Sequence, residues 1–121
     1  MVNPWLQVAL GGALGSVARY GVGRMLAWDG RGWPLHTLTV NVLGGLAIGM
    51  LAASLPARAE WQPALMVGLM GGFTTFSAFS LEVWQMLTRG QMMLAGAYVA
   101  ASVLLSLGAV GLGLAAMRGL G

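Results

Sequence analysis

Charged residues cut this sequence into pieces, and each of the four long pieces is about the length of a membrane span. Residues 1–18, 32–57, 61–81 and 90–117 contain no Asp, Glu, Lys or Arg. Each is close to the roughly 20 residues a helix needs to cross a hydrocarbon core about 30 Å thick. Short polar joints separate them at 28–34, 55–60 and 88–91. In a chain of 121 residues, four spans and three tight turns leave no room for a soluble domain. A water-facing surface is excluded as well. Six arginines, three carboxylates and one histidine make 7% charged residues, against roughly 25% in an ordinary soluble domain. The expectation is an all-α integral membrane protein, a single domain over 1–121, with helices at about 4–27, 35–55, 62–88 and 91–118.

The aromatic residues agree with these boundaries. Trp5, Trp28, Trp33, Trp61 and Trp84 fall at or near the expected helix ends, where an amphipathic indole sits well at headgroup level. The first apolar run lacks a basic leader and reads as a span, not a signal peptide. Cysteine is absent, which removes disulfides, thiolate metal sites and a cysteine nucleophile. The arginines are scattered singly, so no nucleic-acid patch is expected.

Glycine supplies the packing signal. Gly11, Gly12 and Gly15, then Gly45 and Gly49, then Gly68 and Gly72 set small residues about four apart on three helices. That spacing lets helix backbones approach closely in lipid, where no hydrophobic force drives association. Orientation is barely specified. One membrane face would carry Arg58, Arg118 and the N-terminus, the other Arg24, Arg31 and Arg89. So even a distribution allows insertion both ways, and the two orientations together would form an antiparallel homodimer.

Catalysis has no candidate constellation. His36 is the only imidazole and Asp29, Glu60 and Glu82 the only carboxylates, and they do not assemble into a triad, an acid pair or a metal cluster. His36 is expected at an interface, without a chemical role. The polar residues inside the spans are more informative, because each is expensive in lipid and usually faces a cavity or a partner. Arg19 either snorkels to the interface or gives a vestibule a positive potential that draws anions in. Asn41 either bridges helices or offers N–H donors to an anion without a competing charge. In GGFTTFSAFS (71–80) two glycines and two β-branched threonines are poor helix material at mid-span. They predict a break that frees backbone carbonyls, tolerated only where it is buried in protein or lines a cavity. Phe76 and Phe79 stand three apart just beyond it, and an aromatic ring edge is electropositive. Tyr98, Ser102 and Ser106 share one face of the fourth helix, either as a hydrogen-bonding track or as hydroxyls satisfied on their own backbone.

Three segments, GGALGSVARY (11–20), TLTVNVLG (37–44) and GGFTTFSAFS (71–80), together resemble the signatures of the Fluc (CrcB-type) fluoride channels. The resemblance implies a dual-topology antiparallel homodimer in the cell inner membrane, with two pores that export fluoride passively from the cytoplasm. It implies fluoride contacts at Asn41, Phe76, Phe79 and the Ser80 hydroxyl. It also implies a structural sodium ion on the carbonyls of Gly71 and Thr74, where water is the alternative occupant. Ala78 and Leu46 depart from the usual pattern, which expects a hydroxyl residue and Phe. Two rivals fare worse. A four-helix cation antiporter needs a carboxylate deep in its first helix, where this chain has Arg19. A purely packing subunit leaves the polar residues of the second and third helices unexplained.

Overall fold

The computed structural model describes residues 2–120. Helix α1, Pro4–Met25, starts where its sequence dictates. Asn3 caps it by accepting the Trp5 N–H at 2.7 Å, and Pro4 suits a first turn whose N–H has no helical partner. Gly30 and Gly32 take positive φ values of 90° and 63° in the joint that follows. Helix α2 is Leu35–Ser54. The next helical segment, α3 (63–73), is π-wound over Pro63–Met70 and finishes as a short α-helical turn, Gly71–Phe73. The chain leaves the helix at 74–76, where Thr74 is extended at ψ 160°. Helix α4, Ser77–Thr88, completes this broken element. A turn through Gly90, at φ 77°, leads into α5, Met92–Leu120. There is no strand among the described residues.

The ends match the expected boundaries within two residues, and two internal details differ. The glycine pair does not interrupt the helix; the interruption comes after it. The cause is local hydrogen bonding. The Thr74 N–H and Oγ1 both donate to Met70 O, at 3.1 and 2.9 Å, and there the ladder stops. The π-winding of Pro63–Met70 has no counterpart in the sequence pattern, which only suggested an ordinary helix.

Three elements are long and apolar enough to cross a membrane: Leu35–Ser54, Pro63–Thr88 taken through its break, and Met92–Gly119. Helix α1 has 22 residues, about 33 Å at 1.5 Å each. It is less apolar than the others because it carries Gln7, Arg19 and Arg24.

Packing is pairwise, α1 on α3 and α2 on α5. Glycines make both contacts possible. A Cβ on Gly72 would stand 2.6 Å from Gly12 O, and one on Gly45 would stand 2.8 Å from Ser106 O. The fully enclosed core is small, consisting of Phe79, Met86, Ala95 and Tyr98. Leu10, Leu14, Val17, Leu104 and Leu107 are exposed on the outer faces, as expected where the surrounding solvent is hydrocarbon. At one end Trp28 Nε1 donates to the carbonyls of Arg31 and Gly32 at 3.1 Å. Arg89 lies 5.7 Å over the Trp28 ring and donates to Gly30 O at 3.1 Å. The α1–α2 joint is thereby tied to the α4–α5 turn.

Candidate functional site

The break is held open by side chains from three directions. In an unbroken helix the Thr75 N–H would close onto Gly71 O. Here it donates instead to Asn41 Oδ1 at 2.8 Å, while Asn41 Nδ2 donates to Thr75 O at 3.0 Å. The Ala78 N–H, due to meet Thr74 O, donates to Thr75 Oγ1 at 3.1 Å. Arg19 Nε donates to Gly72 O at 3.1 Å. Thus the carbonyls of Gly71 and Thr74 are released from the ladder, and those of Gly72 and Thr75 are recaptured by α1 and α2. Asn41 keeps one N–H free, not two.

Beyond the break the aromatic rings form a row. Phe76 and Phe79 have centroids 5.6 Å apart, Phe79 and Tyr98 5.3 Å, and Tyr98 and Trp33 6.1 Å, all tilted by about 45°. Tilted pairs present ring edges to their neighbours, the geometry aromatic quadrupoles favour. Phe79 is buried inside the row, whereas Phe76 is 78% exposed. The two phenyl rings border a cavity of about 460 Å³, lined among others by Asn41, Gly71, Thr74, Phe76, Phe79 and Ser102. Ser106 also faces it. Its wall is apolar with isolated oxygens, and Ser102 Oγ is buried there with no hydrogen-bond partner. Ser80 Oγ turns back to donate to Phe76 O at 2.9 Å. The Tyr98 hydroxyl is fully buried and donates to Glu82 Oε1 at 3.1 Å.

A smaller cavity of about 290 Å³ lies on the α1 side, lined by Arg19, Tyr20, Arg24, His36, Thr37 and Thr75 among others. Two guanidiniums and an imidazole make it electropositive when the imidazole is protonated. Arg19 is neither snorkelling freely nor wholly devoted to a vestibule. One of its N–H groups secures Gly72 O, and its remaining donors face this space.

Sequence reasoning passed over Glu82, the one carboxylate within a helix. It is buried, accepts Thr37 Oγ1–H at 2.6 Å and Tyr98 O–H at 3.1 Å, and lies 3.4 Å from His36 Nε2. A signal existed. An acid on a span needs a partner, and Glu82 lies one turn beyond Phe79 on the same face. Gln7 was also passed over. It is buried, donates to Val2 O at 3.0 Å and accepts the Ala64 N–H at 3.3 Å, pinning α1 to the start of α3.

Comparison with known proteins accounts for almost the entire chain. A family model described as "CrcB-like protein, Camphor Resistance (CrcB)" matches residues 6–114. A protein of Paracoccus denitrificans named "Fluoride-specific ion channel FluC" is 52% identical over 122 residues, covering 99% of this chain and 98% of its own. Proteins of the same name from Rhodospirillum centenum and Caulobacter vibrioides are 53% and 49% identical, over 93% and 97% of this chain and 94% and 97% of theirs. Matches of this strength and extent leave no second assignment, and the chain belongs to the CrcB family.

Proposed function

We propose that the protein is a fluoride-selective channel, not an enzyme, which lets fluoride leave the cytoplasm passively across the inner membrane. One observation carries the reading. A row of tilted phenyl rings, Phe76 and Phe79, stands beside a broken helix on an apolar cavity whose few polar groups are neutral. A small, strongly hydrated anion needs its water replaced by something weaker than a fixed cation, or it would not leave again. Electropositive ring edges, the free Asn41 N–H and the Ser102 hydroxyl meet that need, while the Ser80 proton is spent on Phe76 O. Tyr98 supports Phe79 from behind, Ser106 extends the wall, and Arg19 raises the anion concentration at the mouth. The family's relatives that carry a fluoride-channel name support the choice of ion.

In this reading α1 is the fourth span, with Arg19 and Arg24 directed to polar surroundings. The functional unit is an antiparallel homodimer with two pores. Exposed Phe76 and the open side of the larger cavity support it, because a second copy would cover both. The even arginine distribution permits the opposite orientation. The released carbonyls of Gly71 and Thr74 fit a hard monovalent cation, since they are all-oxygen and face the cavity where the partner would sit. Sodium is the ion assigned there. When bound, it supplies positive charge that offsets repulsion between nearby anions. These carbonyls would hold it, while Asn41 and Arg19 engage the neighbouring carbonyls of Thr75 and Gly72.

The test is efflux from liposomes reconstituted with purified protein, followed with fluoride- and chloride-selective electrodes. Rapid fluoride efflux with negligible chloride efflux is expected, and equal rates for both anions would defeat the reading. Reporter fusions on the α2–α3 joint should signal from both membrane faces, and a single fixed orientation would defeat the antiparallel arrangement.

A further inference from the structure

The hydrogen bonds around His36 have a consequence for charge beside the permeation path. Thr37 has one hydroxyl proton, and the 2.6 Å contact spends it on Glu82 Oε2. Thr37 Oγ1 also lies 3.3 Å from His36 Nδ1. Having no second proton, that oxygen accepts, so Nδ1 carries the hydrogen. In a neutral imidazole the other nitrogen then bears a lone pair. That nitrogen, Nε2, is 3.4 Å from Glu82 Oε2, and two lone pairs facing each other there repel. A single extra proton between Nε2 and Oε2 satisfies every contact in the cluster.

We propose that His36 and Glu82 share one removable proton and that its presence sets the rate of anion passage, which makes His36 a positioning residue for the channel reading on which this rests. With the proton in place the pair is neutral overall, whichever atom holds it. Without it the pair carries one negative charge, one helical turn from Phe79 and in contact with Tyr98, which packs against the Phe79 ring. Other charged and titratable groups face the pair. From α1, Arg19, Tyr20 and Arg24 line the cavity that His36 enters; from α5 Tyr98 donates to Glu82. The guanidiniums keep their charge across the accessible pH range and Tyr98 is committed as a donor, so the imidazole–carboxylate pair is the part that changes. His36 is one-quarter exposed towards that cavity, which gives the proton a route to water.

The direction follows. An anion passing Phe79 is repelled by the deprotonated pair and not by the protonated one, so flux is higher at low pH. One elementary charge roughly 10 Å away at an effective dielectric of ~20 changes a rate on the order of tenfold. His36 is the only imidazole in the chain.

The experiment measures fluoride efflux from liposomes at equal pH on both sides, in steps from about pH 5.5 to 8.5, after subtracting leak through protein-free vesicles. Wild-type flux should fall on the order of tenfold across this range. His36→Gln should be flat at the slow plateau, and His36→Lys flat at the fast one. Should His36→Gln fail to assemble, carbethoxylation of the single imidazole in wild-type protein should give the same slow plateau, and hydroxylamine should restore the slope. A wild-type rate that ignores pH overturns this inference alone, as does a slope that survives His36→Gln or carbethoxylation. Absence of fluoride flux at every pH overturns the channel reading and this inference with it.

Discussion

Replacing Asn41 by alanine tests whether the break in the third span is built or merely tolerated. Asn41 makes two hydrogen bonds to the Thr75 backbone, 2.8 Å to its N–H and 3.0 Å to its carbonyl. Alanine leaves both backbone groups without those partners. A buried polar group left unpaired costs roughly 1–3 kcal/mol. Asn41 is only partly buried, so some relaxation is available, and the expected loss is about 2–4 kcal/mol for the two. Set against a typical domain stability of roughly 5–15 kcal/mol, that is a large share. Reversible unfolding in mixed micelles, followed by tryptophan fluorescence, reads it directly. Asn41→Asp keeps the acceptor for the Thr75 N–H but turns a carboxylate oxygen towards the Thr75 carbonyl that Nδ2 now meets at 3.0 Å, so it should lose at least as much stability as alanine. Its charge faces the larger cavity, so fluoride flux should fall to background. An Asn41→Ala protein within about 0.5 kcal/mol of wild type would refute the reasoning, because the Thr75 contacts would then carry no weight.

Three other outcomes follow from the same geometry. Phe76→Ile and Phe79→Ile should each cut fluoride efflux at least tenfold, with exposed Phe76 losing less than about 0.5 kcal/mol of single-chain stability and buried Phe79 about 1 kcal/mol or more; near-normal flux in both would move the path elsewhere. Gly72→Ala should destabilise by about 2 kcal/mol or more, because its Cβ would meet the Gly12 backbone, whereas Gly96→Ala points into open space and should stay within about 0.5 kcal/mol, both measured by unfolding in micelles. Exchanging sodium for a large organic cation should abolish flux or dimer stability, and full activity in sodium-free buffer would exclude a required ion on Gly71 and Thr74.

The helical elements were legible because their cause is one-dimensional. Charge-free stretches and end-placed tryptophans mark where a chain enters and leaves lipid, and α2 and α5 begin and end within three residues of those stretches. The glycine spacing was legible for the same reason, since it states which face can approach a neighbour. The break was visible in Gly71, Gly72, Thr74 and Thr75, but the hydrogen bonds that hold it open were not. It depends on the Thr74 hydroxyl reaching back to Met70 and on Asn41 reaching across from another helix. The partnership of His36, Thr37 and Glu82 was hidden altogether, because residues 45 positions apart meet only after α2 packs beside α4. His36 taken alone reads as an interfacial residue; its Nε2 lies 3.4 Å from Glu82 Oε2, a contact only the fold creates.

The polar residues in the spans can then be sorted by what remains after the backbone is satisfied. Arg19 is tied to Gly72 O, Asn41 to Thr75, Thr75 Oγ1 to the Ala78 N–H, and Ser80 Oγ to Phe76 O. Thr37 and Tyr98 are tied to Glu82. Each of these would be a liability in hydrocarbon if it lacked its partner. The groups left over are few: the released carbonyls of Gly71 and Thr74, the second Asn41 N–H and the buried Ser102 hydroxyl. These residues all line the larger cavity beside Phe76 and Phe79. Donors and acceptors without protein partners are where a desolvated ion or an ordered water must bind, because leaving them bare costs several kcal/mol each. The proposed cation would sit on the carbonyls and the proposed anion against the amide and hydroxyl, so one wall would serve both. On the proposed reading a permeant anion held by these neutral donors is not trapped by a charged side chain, which is the condition passive and selective passage requires.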